Sequence, residues 1–158
     1  MAVNREVQHL LVLPEDRATH SLATGIIDLT RGQMQVLNPA GGWPKVLQQF
    51  QEKYIKHLND YCFAHIVLLI DFDDDVANRF ATFKAVIPDT VAGRVYVIGA
   101  LSEAEVLRNA TGKKFGVLGA ALAEECRSNG AALWGCPQLS CNQQEVMRLV
   151  ANVKPFLF

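Results

Sequence analysis

The sequence contains no hydrophobic run long enough to cross a membrane. The apolar stretches His65–Ile70 and Ala131–Trp134 are far shorter than the ~20 residues that a membrane-spanning helix needs. The first residues, Met1–Val7, include Arg5 and Glu6 where a secretion signal would have a long apolar segment. We therefore expect a cytoplasmic protein with no membrane partner.

The chain also lacks an excess of charge of one sign. It has 15 Lys and Arg against 16 Asp and Glu, which gives a formal net charge of −1. A near-neutral total excludes a general role in coating nucleic acid, because contact with a polyanion then needs a local basic patch. Half of the 158 residues are hydrophobic, enough for a core without disulfides or a structural metal. We expect one domain over residues 1–158.

Cysteines are few, and none of them forms a C-x-x-C pair. In a cytoplasmic protein such thiols normally stay reduced, and spacing that lacks paired ligands does not favour zinc. We therefore expect all of the cysteines to be buried apolar residues. They are Cys62, Cys126, Cys136 and Cys141.

Short apolar runs alternate with segments of helical periodicity along the whole chain. The predicted strands are His9–Leu13, Gln33–Leu37, His65–Ile70, Arg94–Gly99 and Ala131–Trp134. The predicted helices are Ala18–Leu29, Trp43–Leu58, Ala77–Val86, one that begins near Ser102, Phe115–Cys126 and Asn142–Val153. This alternation predicts an α/β fold with a mostly parallel central sheet of about five strands and helices on both faces.

Acidic residues follow two of the predicted strands, where a parallel sheet usually binds its ligands. The first and third strands are followed by Glu15, Asp16, Asp71, Asp73, Asp74 and Asp75. Six carboxylates at one edge repel one another unless a cation neutralises them, and oxygen ligands favour Mg²⁺ or Mn²⁺. In the alternative interpretation, Asp73–Asp75 only begin the next helix, where negative charge opposes the helix dipole favourably.

The glutamate after the first strand and the Asp-x-Asp in the run HIVLLIDFDDD resemble the Toprim domain. That domain is shared by topoisomerases, bacterial primases and overcoming-lysogenization-defect nucleases. The resemblance covers roughly Leu10 to Leu149, although Asp16 stands where many members have glycine. It implies a metal-dependent nuclease that acts on DNA or RNA, in a phage-defence or DNA-processing assembly with an ATPase partner.

Individual residue roles follow from the same resemblance. Asp71 and Asp73 match the pair that holds Mg²⁺, and Glu15 matches the glutamate that serves as a general acid or base or as a metal ligand. Asp75, from the same acidic run, and Glu105, after the fourth strand, are further candidate metal ligands. Glu103 is an alternative to Glu105, which in turn could be the capping-box partner of Ser102.

Basic and glycine-rich segments near the acidic residues could bind a substrate. Arg17 and Arg79 are the candidates for holding phosphate groups, although each could also be an ordinary surface charge. The turn Gly41-Gly42-Trp43 follows the second strand at the same edge, where glycine allows a ligand to approach the backbone.

Two other functions remain open. A receiver domain also places an acidic pair after its first strand and an acceptor aspartate after its third, and Lys154-Pro155 superficially matches its Lys-Pro. However, a receiver has Thr or Ser after the fourth strand, where this chain has Gly99-Ala100. The other alternative is a non-enzymatic subunit of an ATPase complex. Association into a homo-oligomer is also left open.

Overall fold

The computed structural model describes residues 2–158 and has a four-stranded, fully parallel sheet at its centre. The strands are β1 (His9–Pro14), β2 (Met34–Val36), β3 (Ala64–Asp71) and β4 (Val95–Ala100). They lie in the order β2-β1-β3-β4. The α/β class and the parallel sheet predicted from the sequence are confirmed, and this order is consistent with a Rossmann-like arrangement.

Helices connect the strands and cover the sheet. They are α1 (Arg17–Ile27), α2 (Trp43–Gln49), α3 (Ile55–Asp60), α4 (Val76–Val86), α5 (Ala104–Thr111), α6 (Phe115–Ser128) and α7 (Gln143–Leu157), with a π-helical turn (Phe50–Tyr54) joining α2 to α3. None of the helices in residues 2–158 is both long enough and apolar enough to cross a bilayer.

Alternate residues of the buried strands face two separate hydrophobic cores. Leu11 and Leu13 of β1 pack with Val46, Phe50 and other side chains from α2 to α4. Leu10 and Val12 of the same strand pack with Ala23 of α1 and Val153 of α7. Helices therefore lie on both faces of the sheet, as the continuous apolar strands indicate.

The predicted fifth strand is wrong, because Ala131–Trp134 forms a series of turns. The backbone N–H of Gly135 donates to the carbonyl of Ala131 at 2.8 Å. The Glu125 carboxylate accepts the N–H groups of Leu133 at 2.7 Å and Trp134 at 3.0 Å. Local acceptors thus satisfy the backbone donors that a strand would have offered to the sheet.

Side chains from the last helix region occupy the place where a fifth strand would have paired. Along the outer edge of β4, Val97 N–H donates to Glu145 Oε2 at 2.9 Å. Gly99 N–H donates to Asn142 Oδ1 at 3.0 Å, and Asn142 Nδ2 donates back to the Gly99 carbonyl at 2.7 Å. This edge of the sheet therefore meets side chains of the chain itself in place of another strand.

Helices α1 and α6 cross closely because glycine lies at their contact. A Cβ atom on Gly25 would lie 2.1 Å from the carbonyl oxygen of Gly116, and one on Gly119 would lie 2.0 Å from that of Leu22. No real Cβ contact is that short, so the crossing requires glycine at both positions.

The prediction that all the cysteines are buried is also wrong. Cys62 and Cys141 are exposed, and Cys126 and Cys136 are half-buried free thiols. Cys62 follows the end of α3 and Cys141 lies in a short turn before α7, where the chain runs over the surface.

Candidate functional site

The ends of β1 and β3 bring Glu15 and Asp71 together at the carboxyl edge of the sheet. The two strands are parallel neighbours, with Pro14 aligned to Leu69. The backbone N–H of Asp71 donates to Glu15 Oε2 at 2.7 Å, although the two residues are 56 positions apart. The predicted meeting of these two acidic segments at one edge is therefore present in the fold.

Asp71 is nearly buried and caps the start of α5. Its side chain accepts the N–H of Ala104 at Oδ1, at 3.0 Å, and the residue is 5% exposed. Its other oxygen, Oδ2, accepts no hydrogen bond from a described residue. A helix end is usually capped by a neighbouring residue, whereas here the cap comes from the end of β3.

The predicted capping box of Ser102 and Glu105 is absent. Helix α5 has Glu103 at its N-cap position, and the Glu103 side chain makes no capping bond. The Ser102 hydroxyl instead donates to Asp74 Oδ1 at 2.6 Å. The cap is supplied by Asp71, so Ser102 is free to bind the acidic loop.

The loop after β3 holds two aspartates in a left-handed backbone conformation. Asp73 has φ +50° and Asp74 has φ +60°, a region that aspartate tolerates better than most residues. The backbone N–H of Asp73 donates to the Ser102 carbonyl at 3.0 Å, and that of Asp74 donates to the Leu101 carbonyl at 2.9 Å. The segment after β4 thus fixes the path of this loop.

Arg79 of α4 binds this loop through its guanidinium group. Its NH1 group donates to the Asp71 carbonyl at 2.8 Å and to Asp73 Oδ2 at 3.1 Å. The guanidinium carbon lies 4.3 Å from the centre of the Trp43 ring, and the Arg79 side chain is only 12% exposed. In this conformation Arg79 neutralises and positions the acidic loop.

The turn before α2 places the Trp43 ring against the guanidinium group of Arg79. The N–H groups of Gly41 and Gly42 donate to the Glu15 carbonyl at 2.8 and 3.1 Å. Their φ angles of +96° and +121° favour glycine. This turn therefore joins the end of β1 to the ring on which Arg79 stacks.

Burial raises the pKa values of both central carboxyl groups. The pKa of Asp71 is raised to about 7, mainly by burial and then by the nearby charges of Glu15 and Asp16, while the Ala104 amide opposes the shift. Burial also raises the pKa of Glu15, against the hydrogen bond from the Asp71 amide. A bound cation would relieve this unfavourable charge.

The remaining predicted residues lie around this centre. Glu105 is half-buried in the first turn of α5, and its charge contributes to the raised pKa of Asp71. Asp75 is exposed and accepts one long bond, 3.4 Å, from Asn78. Arg17 is exposed at the start of α1 and makes no ion pair with a described residue.

Asp16 has a structural role at the start of α1. Its carboxylate accepts the Thr19 N–H at 2.9 Å, and the Thr19 hydroxyl accepts the Asp16 N–H at 3.0 Å. This reciprocal pair is a capping box. The position after Glu15 thus starts a helix.

The acidic centre offers oxygen ligands of the kind that Mg²⁺ prefers. Asp71 Oδ2 and Asp73 Oδ1 accept no hydrogen bond from described residues. Among residues 2–158, no three His, Cys, Asp or Glu side chains are grouped as a complete metal cluster. Mg²⁺ is commonly held by one or two carboxylates with water and substrate oxygens completing its shell, and these residues fit that mode.

Sequence reasoning missed two contacts of the centre. Asp71 caps α5 from 33 positions away, and Arg79 of α4 stacks on Trp43 at the start of α2. The glycine turn at Gly41-Gly42 was the one indication that Trp43 lies at this edge.

No protein-family model, curated protein or solved structure matches the chain.

Proposed function

We propose that the protein carries out metal-dependent phosphodiester chemistry on nucleic acid, as a nuclease of Toprim type. The observation that carries the proposal is the hydrogen bond from the Asp71 amide to the Glu15 carboxylate. It joins the glutamate after β1 to the Asp-x-Asp after β3, which are the residues that carry the resemblance to Toprim domains.

The proposed ligands of Mg²⁺ or Mn²⁺ are Asp71 and Asp73. Bound there, the metal would neutralise the carboxylates and stabilise negative charge on the phosphate oxygens. Arg79 holds the loop that carries both aspartates, so it is a positioning residue. Exposed Arg17, at the start of α1, remains the candidate for contacting a phosphate group.

Glu15 is the candidate for proton transfer. A carboxyl group is most effective as a general acid or base when its pKa lies near the working pH. Burial raises the pKa of Glu15 in that direction. We therefore assign to Glu15 the transfer of a proton to or from a phosphodiester oxygen or an attacking water.

The receiver alternative has less support from the geometry. A receiver needs its lysine close to the acceptor aspartate, whereas the Lys154 ammonium donates to Asn129 Oδ1 at 2.9 Å. Lys154 lies near the end of α7, and the carbonyl of Leu157 in that turn accepts the N–H of Arg31, just before β2 begins. That is the amino edge of the sheet, opposite to Asp71.

The test is cleavage of plasmid DNA, single-stranded DNA and RNA with Mg²⁺ or Mn²⁺, with chelator as the blank. We expect cleavage by the wild type and a loss of about a hundredfold or more in Asp71→Asn and Glu15→Gln. Asp89→Asn, at an exposed carboxylate elsewhere, is the matched control and should cleave normally.

Two outcomes would contradict the nuclease proposal. Phosphorylation of Asp71 by a small phosphoryl donor would favour the receiver function. Absence of cleavage and of metal binding by titration calorimetry, together with copurification of an ATPase, would favour the non-enzymatic subunit.

A further inference from the structure

A narrow apolar cavity lies between the sheet and the helices α1, α6 and α7. Its volume is about 80 Å³, and only apolar surface faces it. Representative side chains of its wall are Leu10, Met34, Val67, Ile98 and Leu149. A dry apolar cavity of this kind takes an apolar ligand more readily than water.

The cavity adjoins a wider groove between α6 and α7. The groove has a volume of about 570 Å³ and shares Cys126, Trp134 and Val150 with the cavity. Met147 in its wall is 66% exposed, which is unusual for a large apolar side chain. The turns that replace the predicted fifth strand form one end of this groove.

A depression with basic side chains adjoins the cavity near the end of α7. The depression, lined by Arg31, Arg127 and Lys154, shares Lys154 and Phe158 with the cavity. Arg127 pairs with Glu124 at 2.7 Å. Lys154 binds only the neutral side chain of Asn129, and Arg31 makes no ion pair with a described residue.

Glu125 is the acidic residue in the wall of the groove, and its oxygens face backbone donors. Both oxygens of Glu125 accept backbone N–H groups, from Leu133 and from Trp134. The remaining wall of the groove is mostly apolar. Arg31 and Lys154, which have no acidic partner among the described residues, therefore favour an anionic head group at the depression.

We propose that this cavity and groove bind a small amphiphile with an aliphatic chain and an anionic head group, such as a medium-chain carboxylate. The head group binds Lys154 and Arg31, and the chain runs through the cavity and past Trp134, so that its outer carbons lie in the groove. A peptide helix is too wide for the cavity, which has room for only a few methylene groups. This site lies apart from the acidic edge, so it does not depend on the proposed nuclease activity.

The test is a titration of the full chain with dodecanoate, dodecanol and dodecyltrimethylammonium below their micellar concentrations, followed by tryptophan fluorescence. We expect a saturable change with dodecanoate, about tenfold weaker binding of dodecanol and no saturable change with the cation. Trp134→Phe should remove the signal, because Trp134 lines both the groove and the cavity.

Charge reversal and cavity filling test the two halves of the site separately. The double variant Arg31→Glu, Lys154→Glu should weaken dodecanoate binding about tenfold or more, whereas Lys53→Glu, exposed on the π-helical turn, should leave it unchanged. Ala123→Val narrows the cavity and should also weaken binding. Thermal unfolding checks that each variant is folded, and Val150→Leu replaces Ala123→Val if the latter is not.

The proposal would be overturned by no saturable response to dodecanoate, by an equal response to all three amphiphiles, or by a signal that survives in Trp134→Phe. Binding of an acidic amphipathic peptide in place of dodecanoate would also overturn it, and would assign the groove to a protein partner.

Discussion

The raised pKa of Asp71 makes the stability of the metal-free protein depend on pH. Burial and the neighbouring carboxylates raise this pKa from 3.8 to about 7 in the folded state, so the folded chain binds a proton more tightly than the unfolded chain. The contribution of Asp71 to stability is therefore complete below about pH 4 and is lost as the pH rises through 7. Asp71→Asn removes this titration and keeps an oxygen that can accept the Ala104 N–H.

The size of the effect follows from the pKa difference. Each pKa unit corresponds to about 1.4 kcal/mol. The free energy of unfolding should therefore fall by at most about 4 kcal/mol as the pH rises from below the lower to above the higher of the two Asp71 pKa values. We expect Asp71→Asn to have a similar free energy of unfolding to the wild type near pH 4. Near pH 8 the variant should be the more stable protein, by up to this amount.

Urea unfolding at several pH values, with chelator or with excess MgCl₂, measures both parts of the prediction. Mg²⁺ should stabilise the wild type at the alkaline end, where Asp71 is ionised, and should have little effect on Asp71→Asn. Asp89→Asn controls for the loss of any exposed carboxylate.

The two parts can fail separately. A difference between wild type and Asp71→Asn that does not change with pH would refute the electrostatic reasoning. If that difference is present but Mg²⁺ does not stabilise the wild type, the cation site is refuted while the electrostatics of the buried aspartate stand.

Three further substitutions test other parts of the fold and site. Gly25→Ala places a methyl group against a backbone carbonyl and should lower the free energy of unfolding by about 1–3 kcal/mol. The control Gly116→Ala, whose methyl group faces open space, should change the melting temperature little. Equal effects of the two substitutions would contradict the close crossing of α1 and α6. Glu145→Ala leaves the Val97 amide without its acceptor and removes the carboxylate that pairs with Lys84 and Arg148, and it should cost about 1–3 kcal/mol in urea unfolding. The absence of a measurable loss would contradict the edge contacts. Arg79→Lys keeps the charge but loses the planar stack, so we expect about tenfold weaker cleavage, and unchanged cleavage would contradict its positioning role.

The strands and helices with strong sequence patterns could be predicted, because their signals are local. The run His65–Ile70 is apolar throughout, as a strand covered on both faces must be, and it forms most of β3. The segment Ala131–Trp134 is also apolar but too short for its pattern to separate a strand from a turn. Its structure depends on Glu125, which satisfies its amides, and on Glu145, which satisfies the edge of β4.

The candidate site was predictable as far as strand order determines it. Parallel strands that are neighbours end at one edge, which is enough to bring Glu15 to Asp71. The capping of α5 was not predictable. Sequence patterns identify caps that lie next to the helix, such as Ser102, but not an acceptor such as Asp71 at the end of another strand. Only the folded chain shows that Asp71 caps α5.

The covered outer edge of β4 limits how copies of this protein could associate. An open strand edge is a template on which another chain can add, which is the first step towards fibrils. Here the Val97 N–H donates to Glu145 and the Gly99 N–H donates to Asn142, so these two backbone donors of β4 are not available to another strand. At the other margin of the sheet, β2 is only three residues long. Strand addition is thus disfavoured at both margins, because the outer donors of β4 are already bound and β2 offers only a short edge.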